Sequence, residues 1–200
     1  MKRGCVIGLI IAAILAIVFF IIFGYVTRAY NKMVTMSEAV SKEWSNVETQ
    51  YQRRADLIPN FVNTVKGAAN FEQETLTKVI EARAKATGIT IDPKNLDQAA
   101  LDKFQAAQGE ISQTLSRLMV VVERYPELKA TQNYRDLQVE LEGTENRIAV
   151  ARNNFNESAR TYNTYIKSFP MNIIAGFTSF REKPYFKAAE GTDKAPQVQF

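Results

Sequence analysis

From Cys5 to Val26 the chain reads CVIGLIIAAILAIVFFIIFGYV, apolar on every face and without a charge. At about 1.5 Å per residue this run of about 22 residues covers the roughly 30 Å hydrocarbon core of a bilayer. Helices buried in soluble proteins are rarely apolar all round. Lys2 and Arg3 precede the run, Arg28 and Lys32 follow it, and Tyr25 and Tyr30 stand where an aromatic belt would meet the headgroups. The run is longer than the roughly 7 to 15 apolar residues of a cleaved signal, and Thr27 and Ala29 make a poor cleavage site. A retained anchor over residues 1–30 is therefore expected, with its transmembrane part at about 5–26.

Beyond the anchor the pattern becomes periodic. Met33, Met36, Val40, Trp44, Val47, Tyr51, Ala55, Ile58, Val62, Val65 and Ala69 recur at intervals of three or four, which predicts one long helix with a kink at Pro59. Asn70, with Gln73 three residues on, offers the cap of a short second helix through Leu76, Val79, Ile80 and Arg83, closed by Gly88. A third stripe runs from Leu96 to Val122 after the turn residues Asp92 and Pro93, and Tyr125 with Pro126 should end it. The fourth extends from Tyr134 through Leu141, Thr144, Ile148, Phe155 and Tyr162 to Phe169, stopping at Pro170. No useful period of two occurs, so residues 31–187 are expected to form an all-α domain. Narrow seams and short connections suit an antiparallel up-and-down four-helix bundle, whose fourth helix returns to the membrane end. Were the first two helices continuous, three helices would result and the tail would sit far from the bilayer. Residues 188–200 are expected to be disordered.

Composition narrows the function classes. The 25 basic and 21 acidic residues are interspersed, giving +4 without a basic block, so nucleic acid is not an implied partner. With no histidine, and with the single cysteine, Cys5, inside the anchor, serine or cysteine triads of the usual kind, ordinary zinc sites and phosphohistidine relays are excluded. No cofactor or metal is implied, and the chain is read as not an enzyme. Lys2 and Arg3 nearly balance Arg28, Lys32 and Lys42 across the anchor, with a slight lean toward an extracytoplasmic domain.

Four blocks carry a resemblance: QRRADLIPNFVNTVKGAANFE (52–72), VVVERYPELKA (120–130), ELEGTENRIAVARNNFNE (140–157) and FPMNIIAGF (169–177). In sequence and order they resemble the LemA family. The resemblance implies a bacterial inner-membrane protein with a helical-bundle domain and a setting near envelope maintenance or membrane proteolysis, and it assigns no reaction.

Three polar or small-residue patterns are candidate sites. Arg53, Arg54, Asp56, Asn60 and Asn63 cluster near Pro59, and Thr144, Glu145 and Asn146 stand on the fourth helix. They read as a hydrogen-bonded layer fixing helix register or as a partner contact, with Arg54 or Asp56 pairing across the bundle. Gly4, Gly8, Ala12 and Ala16 line one face of the anchor, which fits a homodimer through the transmembrane helix or plain lipid packing. In the tail, Phe177, Phe180, Tyr185 and Phe186 alternate with Arg181 and Lys183, suiting either packing under the bundle or the membrane interface. The functional expectation is a single-pass scaffold or adaptor that binds a membrane or envelope protein near the bilayer. The alternative is a bundle that senses or carries a small molecule at the Pro59 kink.

Overall fold

The computed structural model describes residues 3–67 and 72–187. The expected cap Asn70, the stripe's last residue Ala69 and the tail 188–200 lie outside the described residues. The described chain is helical throughout its regular structure: α1 (Arg3–Lys66), α2 (Gln73–Thr87), α3 (Gln98–Val122), the single turn α4 (Pro126–Lys129), α5 (Gln132–Lys167) and α6 (Met171–Gly176).

One helix of 64 residues carries both the apolar run and the first bundle helix. From Ile7 to Val26 the run is exposed apart from the half-buried Gly24, so its large apolar side chains are uncovered among the described residues. From Ala29 onward the three-and-four stripe turns inward: Met33, Trp44, Val47, Ile58, Phe61 and Val65 are fully buried. α1 also passes through Pro59 without ending. Proline has no N–H to give the carbonyl of Ala55. Instead the Arg83 Nε–H on α2 donates to that carbonyl at 2.7 Å, so the break in the ladder becomes the point where α2 is fastened to α1.

α2 starts after Glu72, whose side chain makes no capping bond, and ends at Gly88. Asp97 caps α3 by accepting from Ala100 N at 2.7 Å, and Thr131 caps α5 from Tyr134 N. Ring contacts set the levels. Trp44 meets Phe104 on α3 and Phe155 on α5, Phe61 meets Tyr134 at the start of α5, and Tyr165 at the end of α5 lies within electrostatic range of Tyr25. The four long helices therefore run alternately away from and toward the membrane end. The core has two parts, an outer one around Phe61, Ile111 and Leu118, and an inner one around Trp44, Phe155 and Tyr162.

The tail departs from expectation. It folds back beyond α6 and runs in extended form between α3 and α5, along the side of the bundle instead of beneath it. Phe186 is buried against Trp44 and Phe155, and Lys183 is buried beside Asn163.

Candidate functional site

Arg54 lies between Tyr51 and Ile58 on the inward face of α1, a position that an apolar residue would normally take. Its side chain is 2% exposed. A buried guanidinium needs a counter-charge and hydrogen-bond partners, and two other helices supply these at Nη1 and Nη2. Nη1 donates to Glu145 Oε1 on α5 at 2.5 Å and to Ser112 Oγ on α3 at 2.8 Å. Nη2 donates to Gln108 Oε1 at 2.6 Å and to the Gln108 carbonyl at 3.1 Å. The guanidinium also stands 5.0 Å from the centre of the Tyr51 ring. Burial pushes the Tyr51 phenol up, against the opposing pull of Arg152 and Arg54.

The other residues singled out near Pro59 do not join this cluster. Arg53 makes an exposed pair with Glu140 at 3.2 Å. Asp56 is exposed and accepts from Gln52 on its own helix, so it does not pair across the bundle. Asn60 and Asn63 are exposed too. At about 100° per residue, positions 56, 60 and 63 point about 180 to 240° away from Arg54 around α1, which puts them in water. On α5, Thr144 is buried, donates to the Glu140 carbonyl at 2.8 Å and accepts from Arg147, whereas Asn146 is exposed. In the anchor, Gly4 lies in the first turns of α1, Gly8 has nothing within 4 Å of where a side chain would begin, and Ala12 and Ala16 are exposed.

Arg54 forms part of the floor of an open groove of about 650 Å³ between α3 and α5, whose walls include Gln105, Gln108, Glu145 and Arg152. The tail fills the same cleft on the membrane side, held by a set of side-chain amides. Asn163 donates to the Lys183 carbonyl and accepts from its N–H, each at 2.8 Å. Asn156 does the same for Phe186, at 3.0 and 2.9 Å. Seven helical positions span about 10.5 Å and three extended residues about 10 Å, so residues seven apart on α5 match residues three apart on the tail. From the opposite wall, Gln98 brackets Tyr185 more loosely, at 3.3 and 3.4 Å. Gln105 Nε2 and Arg152 Nη2 both donate to the Lys187 carbonyl at 2.9 Å. Past Lys187 the cleft continues as the groove, open among the described residues, and two buried atoms of its lining, Arg54 Nε and Gln105 Oε1, have no hydrogen-bond partner among the described residues. One is a donor and the other an acceptor, the pair of functions that a peptide backbone complements.

The candidate tail is thereby divided. Phe180, which touches Tyr30, and Lys183 and Phe186 face the bundle. Phe177, Arg181 and Tyr185 are exposed, although the Tyr185 hydroxyl still accepts from Asn163. Reading the sequence missed Gln98, Gln105, Gln108, Ser112, Asn156 and Asn163. The signal that would have found all of them but Gln108 is amide or hydroxyl residues recurring at seven, at 98, 105 and 112 on α3 and at 156 and 163 on α5, beside apolar seams.

A model described as the LemA family matches residues 43–200, a span that takes in the groove, its floor and the docked tail. The chain belongs to the LemA family. This LemA-family protein is 30% identical to magnetosome protein MamQ 2 of Paramagnetospirillum magneticum, over 96% of its own length and 76% of that protein's. It is equally similar, at 30%, to magnetosome protein MamQ of Magnetospirillum gryphiswaldense, over 99% and 79% of the two chains. Protein LemA of Metamycoplasma hominis is 26% identical over 84% and 73%. With one helix long and apolar enough to cross a bilayer, the LemA-family chain is a membrane-anchored helical protein.

Proposed function

We propose that this LemA-family protein is a non-enzymatic, single-pass scaffold of the bacterial inner membrane, with its bundle on the extracytoplasmic side, that holds an extended segment of a protein partner in the α3/α5 groove. The observation that carries this reading is the cleft itself. Its inner half already holds an extended chain by backbone-directed amides, and among the described residues its outer half is open, with an unmatched donor on Arg54 and an unmatched acceptor on Gln105. Arg54 stands 28 residues beyond Val26 on the same helix, about 42 Å from the membrane boundary, so a bound segment would be held at a set height. Pairing of two copies through Gly4, Gly8, Ala12 and Ala16 belongs to the same proposal and would double the number of grooves. Pro59 is exposed, so small-molecule binding at that proline gains no support from an enclosed cavity there.

A photocrosslinking amino acid at Ser112 or Gln105 of the full chain in native membranes tests the reading, with the outward-facing Val139 as control. A discrete partner adduct from the groove positions alone is expected. Adducts equal to those from Val139, or only to further copies of the chain, would overturn it.

A further inference from the structure

Between the end of α5 at Lys167 and the docked tail, the chain makes its reversal nearest the membrane. α5 has by then come down to the membrane end of the bundle, where Tyr165 packs against the core part that contains Ala29, three residues past the end of the apolar run at Val26. α6 lies on α1, and Met171, Ile174 and Ala175 join the core part that contains Ala29 and Met33. Those two residues are three and seven positions past Val26, about 5 to 10 Å along the helix, which is the thickness of a headgroup layer. The opposite side of the reversal is apolar and uncovered: Phe169 is 81% exposed, Ile173 50% and Phe177 90%. These residues are spaced by four, and Phe169 and Phe177 are the two most exposed phenylalanines among the described residues. Aromatic residues left bare at the height of a bilayer surface mark a membrane contact more readily than a solvent face.

The charges nearest the membrane boundary on α1 are basic, Glu38 being the first carboxylate in the sequence. Lys167 is paired with Glu182 at 2.6 Å. Arg28 and Lys32, one turn apart on α1, and Arg181, next to the Phe180 that touches Tyr30, form no ion pair among the described residues. Apolar side chains flanked by unpaired cations at headgroup depth fit the acyl boundary and phosphates of anionic lipid.

We infer that the α5–α6 reversal is a second membrane contact, in which Phe169, Ile173 and Phe177 enter the headgroup layer of an anionic phospholipid bilayer while Arg28, Lys32 and Arg181 face the phosphates. The bundle is thus held at two points, α1 and this foot, which fixes its rotation about α1 and hence the direction in which the groove opens. The inference depends on α1 crossing the bilayer and is independent of what the groove binds.

The test uses the full chain with Cys5→Ser and one introduced cysteine, Phe169→Cys, Ile173→Cys or Phe177→Cys, carrying an environment-sensitive NBD label. The protein is reconstituted in vesicles of phosphatidylcholine with phosphatidylglycerol. All three sites are exposed, so labelling leaves the fold intact. Val120→Cys and Val139→Cys, exposed on the bundle away from the reversal, are the aqueous controls. Blue-shifted emission and severalfold stronger quenching by lipids spin-labelled near the headgroup are expected at the foot. Emission and quenching at all three sites indistinguishable from the controls would overturn the inference. Equal quenching in phosphatidylcholine alone would overturn its anionic-lipid part, and a loss there, restored by phosphatidylglycerol, would support it.

Discussion

Replacing Arg83 by Met asks how much the bridge across the Pro59 gap contributes. Methionine keeps most of the apolar stem of arginine and removes the donor. The carbonyl of Ala55, a residue 3% exposed, then has neither its helical partner nor its substitute. An unsatisfied buried carbonyl costs about 1–3 kcal/mol, and because Arg83 is half-buried we expect about 1.5 kcal/mol. Pro59→Ala restores an N–H at the missing rung, so in that background Arg83→Met removes only a second bond to an already satisfied oxygen, about 0.5 kcal/mol. The two changes should therefore couple by about 1 kcal/mol, with the double variant more stable than the single effects predict. Urea unfolding of the full chain in detergent micelles, followed by the fluorescence of Trp44, the only tryptophan, measures all four corners, and equal slopes confirm that one transition is compared. A coupling within about 0.3 kcal/mol of zero, the scatter of independent sites, would refute the account.

Asn163→Ala removes three hydrogen bonds and strands the N–H and carbonyl of Lys183, weakening tail docking by about 2–4 kcal/mol. Amide exchange at Phe186 through opening of the tail should quicken about 30- to 700-fold, with α5 amides near Ile148 unchanged, at 1.4 kcal/mol per tenfold. Unaltered exchange at Phe186 would rule the clamp out. Glu145→Ala leaves a guanidinium that is 2% exposed without a counter-charge, whereas Arg54→Met leaves a carboxylate that is 46% exposed and reaches water. The more exposed residue should thus be the costlier to lose, roughly 2 against 1 kcal/mol in the same unfolding assay, and the reverse order would contradict the buried-cation reading. Burial holds the Lys183 ammonium below the usual lysine range, against the pull of Asp92 and Glu38, while Nζ donates to the Pro93 carbonyl. A lowered folded value means that this stabilising contribution is complete above the ordinary lysine value of 10.5 and is lost as pH falls through the lowered value. Relative to Lys183→Met, the wild-type Tm should rise as pH climbs toward 10.5, and parallel profiles would refute the assignment.

Much of this architecture was readable because helices announce themselves by period. The stripe from Met33 to Val65, the stop at Gly88 and the seam from Tyr134 to Ile166 each follow from spacing alone, and each names its buried face. The phase argument was also available for the site. Position 54 falls with 58, 61 and 65, whereas 56, 60 and 63 fall opposite, so treating the polar block as one cluster overlooked a distinction that 100° per residue supplies. The tail was less accessible. Residues 178–187 have no helical period, and their place is set by asparagines and glutamines gripping backbone, a mode of recognition that depends little on the identity of the gripped residue. Gln108 and Ser112 escaped notice for a related reason: they matter only once Arg54 is known to be buried between the helices that carry them.

Because α1 runs unbroken from the bilayer into the bundle, no hinge separates the two. Lys66 stands 40 residues past Val26, about 60 Å away, so at the average transmembrane tilt of about 20° the far end of the helix swings about 20 Å sideways. The bundle then behaves as a lever arm: a bilayer thin enough to change the lean of its buried segment is registered as a displacement at the outer tip.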